Sequence, residues 1–320
     1  MNPVLGRELR QRMRGFRAFG ALLVFLGFLV LAAYFVYLGN RGSQFGVDIE
    51  RQSRVGRDMF EWLLFVMVLL MLFLVPGLTA GAVAGERERQ TLLPLQVTPL
   101  SGRSILWGKV LAALAFLGLM AIAALPLFAI CYELGGLTIV SIVRGLLAVM
   151  VVAVVLAAMV VAISAFAKRV QTATLLAYGF TALLSIGAGL AYGAIALVDG
   201  TSGGDQTSPP TAVLLPNPFT FVAAASSAGA DNFIDTPLAA LRDGLRTSYA
   251  QNGGWLATPD SDARFGADDP NGGFFVVDDA ATSALPGTTW LYSLVSLVLL
   301  AGVLFVIAVR RLRLPAELER

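Results

Sequence analysis

Six long apolar runs govern what this chain can fold into: about Ala18 to Leu38, Met59 to Ala84, Trp107 to Tyr132, Gly145 to Phe166, Ala173 to Val198 and Thr288 to Val309. Each is long enough, at about 1.5 Å per residue, to cross roughly 30 Å of hydrocarbon. Hydrocarbon offers no partner to a backbone N–H or C=O, so such a run must satisfy them internally, as a helix. The 320 residues are 57% hydrophobic and only 14% charged, with a mean hydropathy of +0.76, which is the balance of a membrane protein. The expectation is an all-α polytopic membrane protein with six transmembrane helices in a single membrane domain.

Basic residues orient the spans. Arg10, Arg12, Arg14 and Arg17 precede the first span, and Arg87, Arg89 and Arg103 follow the second. Lys168 and Arg169 follow the fourth, and Arg310, Arg311 and Arg313 follow the sixth. All four sets fall on one side of a six-span plan, and the positive-inside rule makes that side cytoplasmic, with both termini inside. The loop from Gly39 to Asp58 runs against the trend with Arg41, Arg51, Arg54 and Arg57, partly offset by Asp48, Glu50 and Asp58. At the start, Leu5, Leu9, Met13 and Phe16 recur at helical spacing between Arg7, Arg10, Arg14 and Arg17. Residues 1–17 therefore read either as an amphipathic helix lying in the interface or as a basic flank that orients the first span. The apolar run behind them exceeds a signal peptide's h-region, and no cleavage is expected.

The expected organisation is spans one to five over 18–198, with a cytoplasmic segment at 85–106. An extracytoplasmic insertion at 199–286, the sixth span at 287–310 and a cytoplasmic tail at 311–320 follow. The insertion holds eleven aspartates against three arginines. Within it "LLPNPFTFVAAASSAG" and "TPLAALRDGLRTSYA" are apolar enough to form short helices dipping toward the outer leaflet.

Several chemistries are excluded. There is no histidine, which removes the commonest general base and metal ligand, and the single Cys131 precludes an internal disulfide. Asp260 and Asp262 are followed by Arg264 and no distal Glu, so a calcium loop fails, and no metal site is expected. Net charge is +2 with the basic residues beside apolar runs, which gives no nucleic-acid footprint. Glu61, Glu133 and Arg144 lie near span ends and read as interface residues, leaving no mid-membrane ion pathway. The nearest approach to a phosphate-binding loop, "GRSILWGKV", sets Gly102 and Gly108 one residue too far apart and puts Val110 where a hydroxyl is needed. With no G-x-S-x-G elbow either, no catalytic residue is assigned, and the chain is not read as an enzyme.

The segment "GERERQTLLPLQVTPLSGRSILWGK" carries the most information. Glu86, Arg87, Glu88 and Arg89 alternate in sign, and on a helix Glu86 can face Arg89 or Gln90, so part of the cluster can pair internally. Leu92, Leu93, Leu95, Val97 and Leu100 then return to apolar character on the cytoplasmic side, while Pro94 and Pro99 limit any helix to short pieces. A short element with exposed leucines, flanked by charge and joined to two spans, suits a groove on a soluble subunit.

In these residues the chain resembles the permease subunits of ABC-2 type ABC transporters. The resemblance is carried by "NPVLGRELRQRMRGFRAF", by "PGLTAGAVAGERERQTLLPLQVTPLSGRSILWGK" from Pro76 to Lys109, and by the six-span plan with its external insertion before the last span. It implies an N-terminal elbow helix and a type V exporter-like fold. It further implies a coupling region of Glu86, Arg87, Glu88, Arg89, Thr91, Leu92, Leu93, Pro99, Leu100 and Ser101, with Lys109 opening the third span. Pro94 departs from the uninterrupted coupling helix of the family, and the long insertion departs from its compact members. Pro76 and Pro126 each remove a backbone hydrogen bond and are candidates for kinks in helices lining a path.

The resemblance implies that this is the membrane subunit of an ATP-driven transporter, an exporter of an amphiphilic, lipid-like or drug-like cargo. Its partners would be a separate cytoplasmic ATPase that binds ATP and Mg, a second permease copy or a related permease, and membrane lipid, in the cell membrane. The alternative is a non-transporting assembly or signalling subunit whose acidic external loop binds a partner. An intramembrane enzyme ranks last.

Overall fold

The computed structural model describes residues 16–39, 49–90, 102–201, 211–226, 236–242, 245 and 289–312. The amphipathic stretch before Phe16 and the aspartates at 260 and 262 lie outside them. The described residues form helices and turns, with no strand among them. In chain order the helices are α1 (Phe16–Gly39), α2 (Ile49–Thr79), α3 (Gly81–Glu88), α4 (Gly102–Glu133), α5 (Ile139–Ser164), α6 (Val170–Ala182), α7 (Ala188–Thr201), α8 (Pro218–Ala225) and α9 (Thr289–Leu312). A π turn, Leu183–Gly187, joins α6 to α7. Six stretches are long and apolar enough to cross a membrane: Phe19–Gly39, Gln52–Glu88, Leu106–Glu133, Ile139–Ser164, Val170–Ile195 and Thr289–Arg311. These are the six expected spans.

Two boundaries differ from the hydropathy reading. The second helix begins at Ile49, ten residues before its apolar run, because the polar stretch "ERQSRVGRD" remains helical. It is held by the turn after the third span: a methyl group on Gly56 would meet the carbonyl oxygens of Gly135 and Cys131 at 2.5 and 2.9 Å. The fourth span, α5, begins at Ile139, ahead of Arg144, because Thr138 caps it by accepting a hydrogen bond from Ser141 N at 3.1 Å. The link between the third and fourth spans is thus only Leu134 to Thr138. It turns through Gly135 and Gly136, whose φ angles of 90° and 77° favour residues without a Cβ.

The fourth span is the hub. It packs against α2, α3, α4, α6, α8 and α9. Its run "VVAVVLAAMVVAIS" is small and β-branched, so neighbouring backbones approach closely on most sides. At Gly145 a methyl group would meet Leu64 Cδ1 at 2.8 Å and Phe60 Cζ at 2.9 Å, so second-span side chains occupy the space a Cβ would fill. The outer faces of α1, α6, α7 and α9 expose Phe35, Leu175, Leu183, Leu190, Leu197 and Leu299, as expected of a bundle whose solvent is hydrocarbon.

These contacts predict an order of sensitivity. Gly56→Ala forces a methyl against fixed backbone oxygens, whereas Gly145→Ala meets side-chain ends that can shift. Gly56→Ala should therefore cost more stability, within the range of about 1–3 kcal/mol typical of overpacking, and show the larger drop in thermal midpoint of the detergent-purified protein. Equal midpoints for the two variants would refute this reading of the helix crossings.

Candidate functional site

The site is built on α3, the continuation of the second span. Ala80 between α2 and α3 keeps helical angles (φ −59°, ψ −35°), so the stretch runs on through it. Ala80 and Ala84, one turn apart, face the fourth and fifth spans: Ala80 is buried with Val160 and Ala177, Ala84 with Ala167 and Ala173. Small side chains on both sides let the helices meet closely. Ser164, the last residue of α5, accepts hydrogen bonds from Val83 N at 3.1 Å and Ala84 N at 3.0 Å.

The charged residues that follow reach to three other spans. Glu86 Oε1 accepts from Lys109 Nζ of α4 at 2.8 Å, with the Lys109 side chain 1% exposed and that of Glu86 28% exposed. Arg87 Nη1 donates to Ala165 O and Ala167 O, both at 3.1 Å, just past the end of α5. Helix C-termini carry orphan carbonyls and partial negative charge, so a guanidinium is well placed there. Glu88 Oε2 accepts from Val170 N, the first amide of α6, at 3.0 Å. A carboxylate at a helix N-terminus satisfies the opposite need.

The sequence leaves room for pairing inside the alternating cluster; the structure also directs Glu86, Arg87 and Glu88 outward to Lys109, Ala165, Ala167 and Val170. The partners lie 23 to 82 residues away in sequence, so local spacing cannot reveal them. Arg89 is exposed, and Gln90 ends the helix with a left-handed φ of 58°. Thr91, Leu92, Leu93, Pro99, Leu100 and Ser101 lie outside the described residues. Arg311, at the end of the sixth span, stacks over the Phe166 ring at 5.2 Å. Ends of the second to sixth spans thus gather at one pole of the bundle, together with Arg87, Arg89, Lys168, Arg169, Arg310 and Arg311.

Across residues 3–312 the chain matches the sequence model of the ABC-2 family transporter proteins. The chain belongs to the ABC-2 transporter family. No curated protein matches it.

Elsewhere in this ABC-2 protein, Pro76 is buried within α2, four residues before Ala80, and Pro126 is exposed on α4. In the turn disturbed by Pro76, Tyr178 Oη donates to Phe73 O at 3.0 Å, and Gly77 makes room for it. At the opposite pole, sequence reading missed a second polar centre. Glu61, read as an interface residue, is 2% exposed and accepts from both Arg242 and Thr236 of the insertion between the fifth and sixth spans. A lone carboxylate in an apolar run was the available signal; its partner, 181 residues away, was not legible. Asn217 caps α8 by accepting from Phe219 N at 2.9 Å and donates to Ser185 O in the π turn at 2.8 Å.

The Glu86–Lys109 pair makes an asymmetric prediction. Glu86→Gln removes the counter-ion from a fully buried ammonium, a loss of about 3 kcal/mol, at the low end for buried pairs because Glu86 is partly exposed. Lys109→Met leaves a carboxylate whose Oε2 is buried but whose side chain as a whole is 28% exposed, and should cost less than leaving the ammonium, 1% exposed, without its counter-ion. Thermal midpoints of the two single variants and the double variant test this; a larger loss for Lys109→Met would contradict it.

Proposed function

We propose that this chain is the permease subunit of an ATP-driven ABC-2 exporter, with the pole bearing Glu86, Arg87 and Glu88 as the place where force enters. One observation carries the reading. Three consecutive side chains of α3 hold the ends of the third, fourth and fifth spans, and the chain then leaves directly into the leucine-bearing segment 91–101. A push delivered at the end of α3 would reach four spans through these contacts.

Orientation follows from the same pole. Under the positive-inside rule its basic residues support a cytoplasmic position for this pole, with both termini on that side and the insertion outside. A separate cytoplasmic ATPase would bind ATP and Mg and seat Leu92 and Leu93 in a groove. Closure of two such ATPases on two permease copies, or on this permease and a related one, would tilt α2 and α3 and switch the bundle from inward to outward access. Pro76 and Pro126 are the places where α2 and α4 would bend. Uncharged spans favour an amphiphilic, lipid-like or drug-like cargo over a small ion, and the exporter reading carries with it the cell membrane as its location.

Pull-down of the tagged protein from native membranes in mild detergent tests the partner. The expected result is enrichment of a soluble protein with a complete P-loop, released when Leu92 and Leu93 are both replaced by Asp while the permease stays inserted. Binding of wild-type strength to the Asp variant would remove the proposed docking surface.

A further inference from the structure

The pole opposite the charged one is closed by part of the external insertion. Helix α8 is wedged against α2, α5 and α9, with Thr220, Phe221, Val222 and Ala223 almost fully buried. Phe219 packs on Phe65 of the second span, ring centres 5.1 Å apart. Two polar anchors hold this cap. Asn217 ties its near end to the fifth span through Ser185 O. Glu61 ties a second short helix, residues 237–242, to the second span: one carboxylate oxygen accepts from Thr236 Oγ1 and the other from Arg242 Nη2. Thr236 also caps that helix, accepting from Ala239 N at 3.1 Å. Glu61 therefore holds the capping residue Thr236 and Arg242, six residues further on, at once.

Glu61 shares its helical stretch with Glu86. The run between them, Trp62 to Gly85, is free of charge, and the two carboxylates lie about 37 Å apart along a helix at 1.5 Å per residue. That exceeds the roughly 30 Å of hydrocarbon and stays within the thickness that includes the headgroup regions, so one helical rod carries a carboxylate toward each membrane face. The capped position is not fully satisfied: Arg242 Nη1, Thr220 Oγ1 and Ser226 Oγ are buried without a hydrogen-bond partner among the described residues. Water would supply those partners if the cap lifted, so the closed state rests on the Glu61 contacts while the open state gains hydration.

We propose that Glu61, Thr236 and Arg242 form a latch that holds the external cap shut, and that movement of the second span during the transport cycle releases it. The release step rests on the exporter reading above; the latch itself does not. A buried ion pair is suited to this role, because it is strong while dry and gives way once a displacement of the rod admits water.

The test places a cysteine at Ala239, which is 7% exposed, in a Cys131→Ala background. Its rate of modification by a membrane-impermeant maleimide applied from outside is then measured. The parent should label slowly, and Glu61→Gln should raise the rate about tenfold by opening the local structure. Charge reversal by Glu61→Arg with Arg242→Glu should bring it back toward the parent, which separates latch loss from misfolding. Equal slow labelling in the parent and Glu61→Gln would overturn the latch, as would charge reversal that labels as fast as Glu61→Gln. Trapping the complex with ATP and orthovanadate should accelerate labelling of the parent. If a bound, hydrolysing ATPase leaves labelling unchanged, the release step is wrong. If no ATPase copurifies, the exporter reading fails and the Glu61→Gln arm still decides the latch.

Discussion

Hydrocarbon cannot hydrate a charge, and the architecture follows from where that constraint lets charges sit. The second span makes the point most directly. Between Glu61 and Glu86 it carries no ionisable side chain, and each of those carboxylates is paired with a cation from another part of the chain: Arg242 at one pole and Lys109 at the other. Apolar packing fills the space between, through the small-residue face of the fourth span, but it is nearly isotropic and sets no register by itself. The polar contacts at the two poles do set it.

At the charged pole the contacts use helix ends as binding partners. Every helix leaves carbonyls unsatisfied at one end and amides at the other, with matching partial charges. Arg87 on the end of α5, Glu88 on the start of α6 and Ser164 on α3 meet these needs without outside help. The result is a junction in which several helix ends are tied together, which is what the proposed transmission of force requires.

The six spans were legible because hydropathy over about 20 residues is a local property. So was the prominence of "GERERQ", since charge beside an apolar run stands out. The partners were not legible: Glu86 to Lys109, Arg87 to Ala165 and Ala167, and Glu88 to Val170 all depend on how helices distant in sequence are arranged. The helical i, i+4 rule reads only pairing within the cluster and has no access to partners at neighbouring helix ends. Glu61 shows the same limit. Its run of apolar neighbours placed it near a membrane face, yet its burial depends on a helix contributed by an insertion more than 170 residues later. The extended start of the second helix was missed because polar sequence can remain helical when a turn such as Gly135–Gly136 packs against it.

The central claim is that α3 delivers force from a nucleotide-binding partner into the bundle. Its most direct measurement is a site-specific cross-link from a photoreactive residue placed at Arg89, the exposed position where α3 ends, carried out in native membranes. The account predicts a covalent adduct with a soluble protein that contains a complete P-loop. An adduct only with lipid, or with a protein that binds no nucleotide, would contradict it.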